Sequence, residues 1–146
     1  MRILFVCTGN TCRSPMAEAI LRYKTNNIHQ VESAGIYALT GQSISENADH
    51  VLKKHNISHD HTSKLLTQEL IEQSDLILTM TSSHKNAAIS MYSYPDKIFT
   101  ISEYVGEDIF DIIDPYGGDV DIYEGTFEQL SVLIDRLIKV ISEGKN

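Results

Sequence analysis

The stretch that most restricts how this chain can fold is its first fifteen residues. Arg2-Ile3-Leu4-Phe5-Val6 is a short apolar run of the kind that forms a buried strand, and it is stopped by a Gly-Asn turn signal. Pro15 opens an apolar-periodic segment, Met16, Ala17, Ile20 and Leu21, with Ser14 as predicted N-cap and Pro15 at the first helical position. The intervening Cys7-Thr8-Gly9-Asn10-Thr11-Cys12-Arg13-Ser14 must therefore lead from the end of a strand into the start of a helix. Such a loop aims backbone N–H groups and the positive end of a helix dipole at one spot, which makes an anion site.

The side chains give that site a chemistry. A thiolate at Cys7 would be stabilised by N–H dipoles, a helix N-terminus and a neighbouring cation, all of which this loop supplies. Arg13 presents a planar fork that can grip two phosphoryl oxygens at once. Gly9 and Asn10 tolerate the positive φ that inward-turned N–H groups require. Ser14 either donates to the Cys7 sulfur or caps the helix, and the sequence does not choose between these roles. Thr8, Thr11 and Cys12 complete the expected phosphate-binding set. A thiol and a guanidinium flanking one anion site can cleave a phosphate as well as bind it.

Composition narrows the partners. The 146 residues suit one domain, and 42% hydrophobic with 22% charged content fits an ordinary globular protein. A net charge of −8 without any Lys/Arg cluster argues against a nucleic-acid surface. No run approaches the length of a membrane helix, so no membrane partner is expected. Two cysteines in one loop make no disulfide scaffold, which places the chain in the cytoplasm. No histidine shows metal-ligand spacing with cysteine, so neither a metal nor a cofactor is expected. Tyr37, Ile44, Tyr92 and Tyr94 suggest a monomer with at most weak self-association.

Strands and helices alternate along the chain. Val31–Ala34, Leu76–Met80 and Lys97–Ile101 read as strands. Helices are expected over Glu46–His55 with Ser45 as N-cap, from Thr67 through Ile71, and over Ser83–Met91. Phe127, Leu130, Ile134, Leu137 and Ile141 step by three and four along a last helix, opened by an Asp121/Glu124 capping box. This alternation predicts an α/β fold, a parallel sheet with helices on both faces, with ligands bound at the carboxyl ends of the strands where Cys7 sits.

The loop, with C-x5-R-S, an internal Gly-Asn and a second cysteine, resembles that of the low-molecular-weight protein tyrosine phosphatases. Ser33-Ala34-Gly35, Asp75-Leu76-Ile77-Leu78-Thr79-Met80 and Asp114-Pro115-Tyr116 are similar to further segments of that family, in its order and approximate spacing. The resemblance implies a four-stranded sheet in the order 2-1-3-4. It also implies a cysteinyl-phosphate intermediate on Cys7, a role for His61 in tethering the loop, with Ser43 and Asn10 in the same network, and phosphorylated proteins as substrates.

Attack by a thiolate on phosphorus needs a proton donor opposite. Asp108, Asp111 and Asp114 stand at intervals of three, and composition alone does not separate them. Pro115 pins the backbone after Asp114, and Phe110, Ile112, Ile113 and Tyr116 are expected to desolvate its carboxyl and raise its pKa. The resemblance also makes Asp114 the acid. Thr11 and the Gly117-Gly118 that follows the single aromatic Tyr116 resemble the bacterial protein arginine phosphatase branch, which implies phosphoarginine ahead of phosphotyrosine. Cys12 is expected to trap an oxidised Cys7 as a disulfide. Two rivals are an arsenate reductase, for which no later cysteine is available as a relay, and a non-enzymatic anion-binding module, which needs no thiol.

Overall fold

The computed structural model describes residues 1–108 and 110–143. Four strands, β1 (Arg2–Cys7), β2 (Gln30–Gly35), β3 (Leu76–Thr79) and β4 (Ile98–Thr100), pair in parallel in the order β2-β1-β3-β4. β1 is central and buried on both faces. Its period of two sends Ile3, Phe5 and Cys7 into one hydrophobic cluster and Leu4 and Val6 into the other. Met16, Ala17 and Ile20 of α1 (Arg13–Lys24) join the first cluster, with Val51 of α2 (Glu46–Lys54) and Leu130 and Ile134 of α6 (Val120–Ser142). Ile71 of α3 (Gln68–Gln73) and Ala88 of α4 (Ser82–Tyr92) close the second. A four-residue helix, α5 (Ile101–Tyr104), comes directly after β4.

Helical geometry begins at Arg13, with Cys12 at the cap and no side-chain capping bond, so Ser14 and Pro15 are the second and third helical residues. Pro15 costs nothing there, because first-turn N–H groups lack intrahelical partners in any case. The last helix starts before the expected capping box: Asp119 caps it by accepting from the Ile122 N–H at 3.1 Å. Glu124 instead pairs with His55 and Lys54 of the α2 end. Thr67 and Ser45 do occupy N-cap positions, but only Thr67 bonds its helix through its side chain. Ile101, expected in the last strand, opens α5, because Thr100 and Glu103 form a capping box.

Tyr37, Ile44, Tyr92 and Tyr94 lie in different parts of the fold. Ile44 packs on the first cluster, Tyr92 and Tyr94 on the second, and Tyr37 stands at the cleft beside Cys7. No described helix is long and apolar enough to cross a membrane.

Candidate active site

Cys7 ends β1 with its side chain buried, and the chain from Thr8 to Cys12 wraps around the sulfur into α1. Five loop carbonyls point outward. Those of Cys7, Thr8, Asn10, Thr11 and Cys12 accept from Ile36 N, Tyr37 N, His61 Nε2, Ser45 N and Met16 N at 2.6–3.1 Å. Among the described residues, no backbone N–H of residues 8–13 donates to another protein group. Carbonyls tied outward leave those N–H groups for an anion.

Asn10 holds this geometry. It is fully buried with φ 57°, and its amide oxygen accepts from the Lys64 N–H at 2.9 Å. Its Nδ2 must then donate, and it does so to both Ser14 Oγ and Ser33 Oγ at 2.9 Å. Ser33 in turn donates to Glu18 at 2.6 Å. With Ser14 Oγ already accepting, its proton is free for the Cys7 sulfur 2.9 Å away. That resolves the choice left open by the sequence: Ser14 serves the thiol rather than the helix cap. Gly9, unlike Asn10, does not adopt positive φ, and a Cβ there would meet only Thr11 Oγ1 at 3.8 Å. Of the expected network, Ser43 is exposed and takes no part; Ser33 fills that role.

Arg13 is buried, donates to the Ile112 carbonyl at 3.2 Å, and stands 3.6 Å from Asp114 Oδ2. That carbonyl belongs to a loop fixed by Met80 O, Gln129 and Thr126, which bond Ile112 N, Ile113 N and Ile113 O. Asp111 caps the α4 start through Ser82 N, whereas Asp114 faces the thiol across a cleft of about 400 Å³. The apolar enclosure expected around Asp114 is missing. Its side chain is 58% exposed, Ile113 and Tyr116 are exposed beside it, and its Oδ1 accepts from Tyr116 N. Gly117, at φ +77°, occupies the third position of a turn closed by Gly118 N to Pro115 O at 2.8 Å. The turn itself therefore demands glycine, whatever the substrate.

Thr8, Gly9, Thr11, Cys12 and Tyr116 line the same cleft. Sequence reasoning missed its opposite rim, Tyr37, Leu39 and Gln42, which carries no motif. It also missed His84, whose Nε2 lies 2.8 Å from Thr8 Oγ1. Burial, with the Arg13 guanidinium nearby, pushes His84 down to about 4. Cys12 Sγ sits 3.4 Å from Tyr123 OH and 3.5 Å from Ser45 Oγ. Burial and that thiol push Tyr123 up to about 12.

Residues 2–146 match the model of the low molecular weight phosphotyrosine protein phosphatases. The chain belongs to that family. A low molecular weight protein-tyrosine-phosphatase, PtpB of Staphylococcus haemolyticus, is 47% identical over 94% of this chain and 97% of its own. The protein-arginine-phosphatase of Bacillus subtilis is 41% identical over 99% of both chains. The solved YwlE arginine phosphatase, a cysteine-to-serine mutant with a phosphorylated active-site serine, superposes with TM-score 0.93 at 41% identity over 97% of this chain and 96% of that one. The low-molecular-weight phosphatases thus share this fold, and the relatives named are protein-tyrosine- and protein-arginine-phosphatases.

Proposed function

We propose that this family member is a cysteine-dependent protein phosphatase, that Cys7, Arg13 and Asp114 carry the reaction, and that phosphoarginine in proteins is its substrate. The supporting observation is that buried Cys7, the free N–H groups of residues 8–13 and Arg13 converge on one end of a cleft whose other side carries the Asp114 carboxyl. The Cys7 thiolate attacks phosphorus while Arg13 and the loop N–H groups hold the equatorial oxygens. As the P–N bond breaks, Asp114 gives its proton to the departing nitrogen. The resulting carboxylate takes a proton from water, the water oxygen attacks the cysteinyl phosphate, and phosphate leaves as the Cys7 thiolate is restored.

Support for phosphoarginine comes from the exposed Asp114 carboxyl at the cleft, where a planar guanidinium can pair with it, and from likeness to the arginine phosphatases. Phosphotyrosine is the second reading, favoured by the exposed rings of Tyr37 and Tyr116 at the rim. The two separate by kcat/KM on matched peptides bearing phosphoarginine, phosphotyrosine and phosphoserine, with Cys7→Ser as control. A phosphoarginine preference of about a hundredfold, some 2.7 kcal/mol of differential transition-state binding, is expected. A phosphotyrosine preference overturns the assignment.

The same reading gives Cys12 a protective role in a cytoplasmic, thiol-reducing setting. Peroxide oxidises Cys7 to a sulfenic acid, and the Cys12 thiol displaces water from it to form a disulfide that cellular thiols reduce. Cys12→Ser is expected to lose recovery from peroxide plus thiol, and recovery equal to wild type removes the role.

A further inference from the structure

Outside the cleft, three ligand-type side chains from distant segments converge. Glu18 lies in α1, and His59 and His61 come after α2. His59 Nε2 is 3.8 Å from Glu18 Oε2, His61 Nδ1 is 3.9 Å from Glu18 Oε1, and the three ligand atoms all lie within 4.8 Å of one another. The side chains of His59, His61 and Glu18 are 4%, 4% and 9% exposed.

The hydrogen bonds around this cluster leave a gap in its middle. His61 Nε2 donates to the Asn10 carbonyl at 2.6 Å, so Nδ1 is the ring nitrogen turned toward Glu18. Glu18 pairs with Arg22 at 3.0 Å and accepts from the Ser33 hydroxyl at 2.6 Å. His59 Nε2 is buried and has no hydrogen-bond partner among the described residues. Two imidazole nitrogens and a carboxylate thus face one another at distances too long for hydrogen bonds. A cation between them supplies what the arrangement lacks.

We propose that Glu18, His59 and His61 form a site for a divalent transition metal of the zinc class. Two imidazoles and a carboxylate suit zinc or its neighbours better than calcium or magnesium. In a tetrahedral site with Zn–N near 2.0 Å, ligand atoms stand about 3.4 Å apart, so the two histidine–Glu18 gaps close by about half an ångström. A backbone carbonyl on the far nitrogen is the usual support of a metal-bound histidine, and Asn10 already provides it to His61. A solvent groove whose walls include both histidines, with Glu46, Asp49 and Lys53, runs beside the cluster. The sequence expectation of no metal rests on histidine–cysteine spacing, whereas these ligands are assembled by the fold. Because His61 and Ser33 both bond Asn10, the metal would sit one residue behind the phosphate loop and reinforce the His61 Nε2 bond that the loop already uses.

The test uses the full chain as Cys7→Ser/Cys12→Ser, which removes competing thiolates. Co²⁺, a spectroscopic stand-in for Zn²⁺, is titrated by visible absorption, and Zn²⁺ is titrated calorimetrically. One equivalent is expected to bind with a four-coordinate Co²⁺ spectrum, and His59→Ala in that background weakens binding by at least about tenfold. Co²⁺ also broadens the His59 and His61 imidazole proton resonances selectively, a readout that needs no substitution at the site. Absence of saturable binding below about millimolar metal, equal affinity after His59→Ala, or broadening confined to other histidines each overturns the site.

Discussion

Gly35 shows how closely the loop is built against the sheet. A Cβ there would stand 2.5 Å from Thr8 O and 2.9 Å from Asn10 N, both backbone atoms that cannot rotate aside. Gly35→Ala must therefore push the loop away from Cys7. Since a misplacement of about 1 Å can cost about a hundredfold in rate, kcat/KM is expected to fall by more than tenfold. An alanine variant with wild-type kinetics shows instead that β2 yields and the loop does not. Thr11 is the complementary case, a residue with freedom. It lines the cleft, and among the described residues its hydroxyl has only a 3.8 Å contact with Cys12 Sγ. Thr11→Ile adds apolar bulk at the cleft and is expected to lower kcat/KM on phosphoarginine while sparing phosphotyrosine. Equal losses on both remove Thr11 from substrate selection.

At the scale of elements, the Asp114 loop is positioned by the helix on its C-terminal side. Asp119 caps α6, and Asn47 of α2 donates to the Gly118 carbonyl at 3.2 Å, so the turn after Pro115 is anchored at its far end. Asp119→Ala removes the cap and is expected to cost about 1 kcal/mol, read as a lower Tm, with kcat/KM falling as Asp114 loses its register. A loss of stability without a kinetic change separates the cap from the Asp114 loop. These junctions are also where the sequence is hardest to read. β1, β3 and α6 obey their apolar periods, because burial on two faces or one stripe dictates residue type directly. Ser14 looks like a cap, yet its hydroxyl is drawn to Cys7 by Asn10, a tertiary arrangement that no local pattern contains. The Thr100-Ile101-Ser102-Glu103 capping box is legible, but the apolar run Ile98–Ile101 masks it. Cys7, Arg13 and Asp114 announce themselves through their neighbours, whereas Tyr37, His84 and Gly35 owe their places to chain crossings that spacing does not encode.

The whole molecule combines these local environments into one pH response. Burial holds His84 and His59 below their ordinary values, while an unfolded histidine titrates near 6.5. As pH falls from about 6.5 toward 4, the unfolded chain takes up protons that these native histidines refuse, so stability declines across that window. Glu32, held low by its bond to Lys64, adds a loss of the same sign below it. At the other end, buried Tyr123, at about 12, stays neutral where an unfolded tyrosine ionises, so stability declines as pH rises from about 10 toward 12. The expected profile is a plateau between the two limbs. His84 dominates the acid limb, contributing on the order of 2 kcal/mol across its window. His84→Asn keeps a polar group near Thr8 but abolishes the titration. Its Tm is therefore expected to fall less than that of wild type between pH 7 and pH 5, by circular dichroism under matched salt. Parallel loss in the two proteins shifts the acid sensitivity away from His84 and onto His59 and the carboxylates.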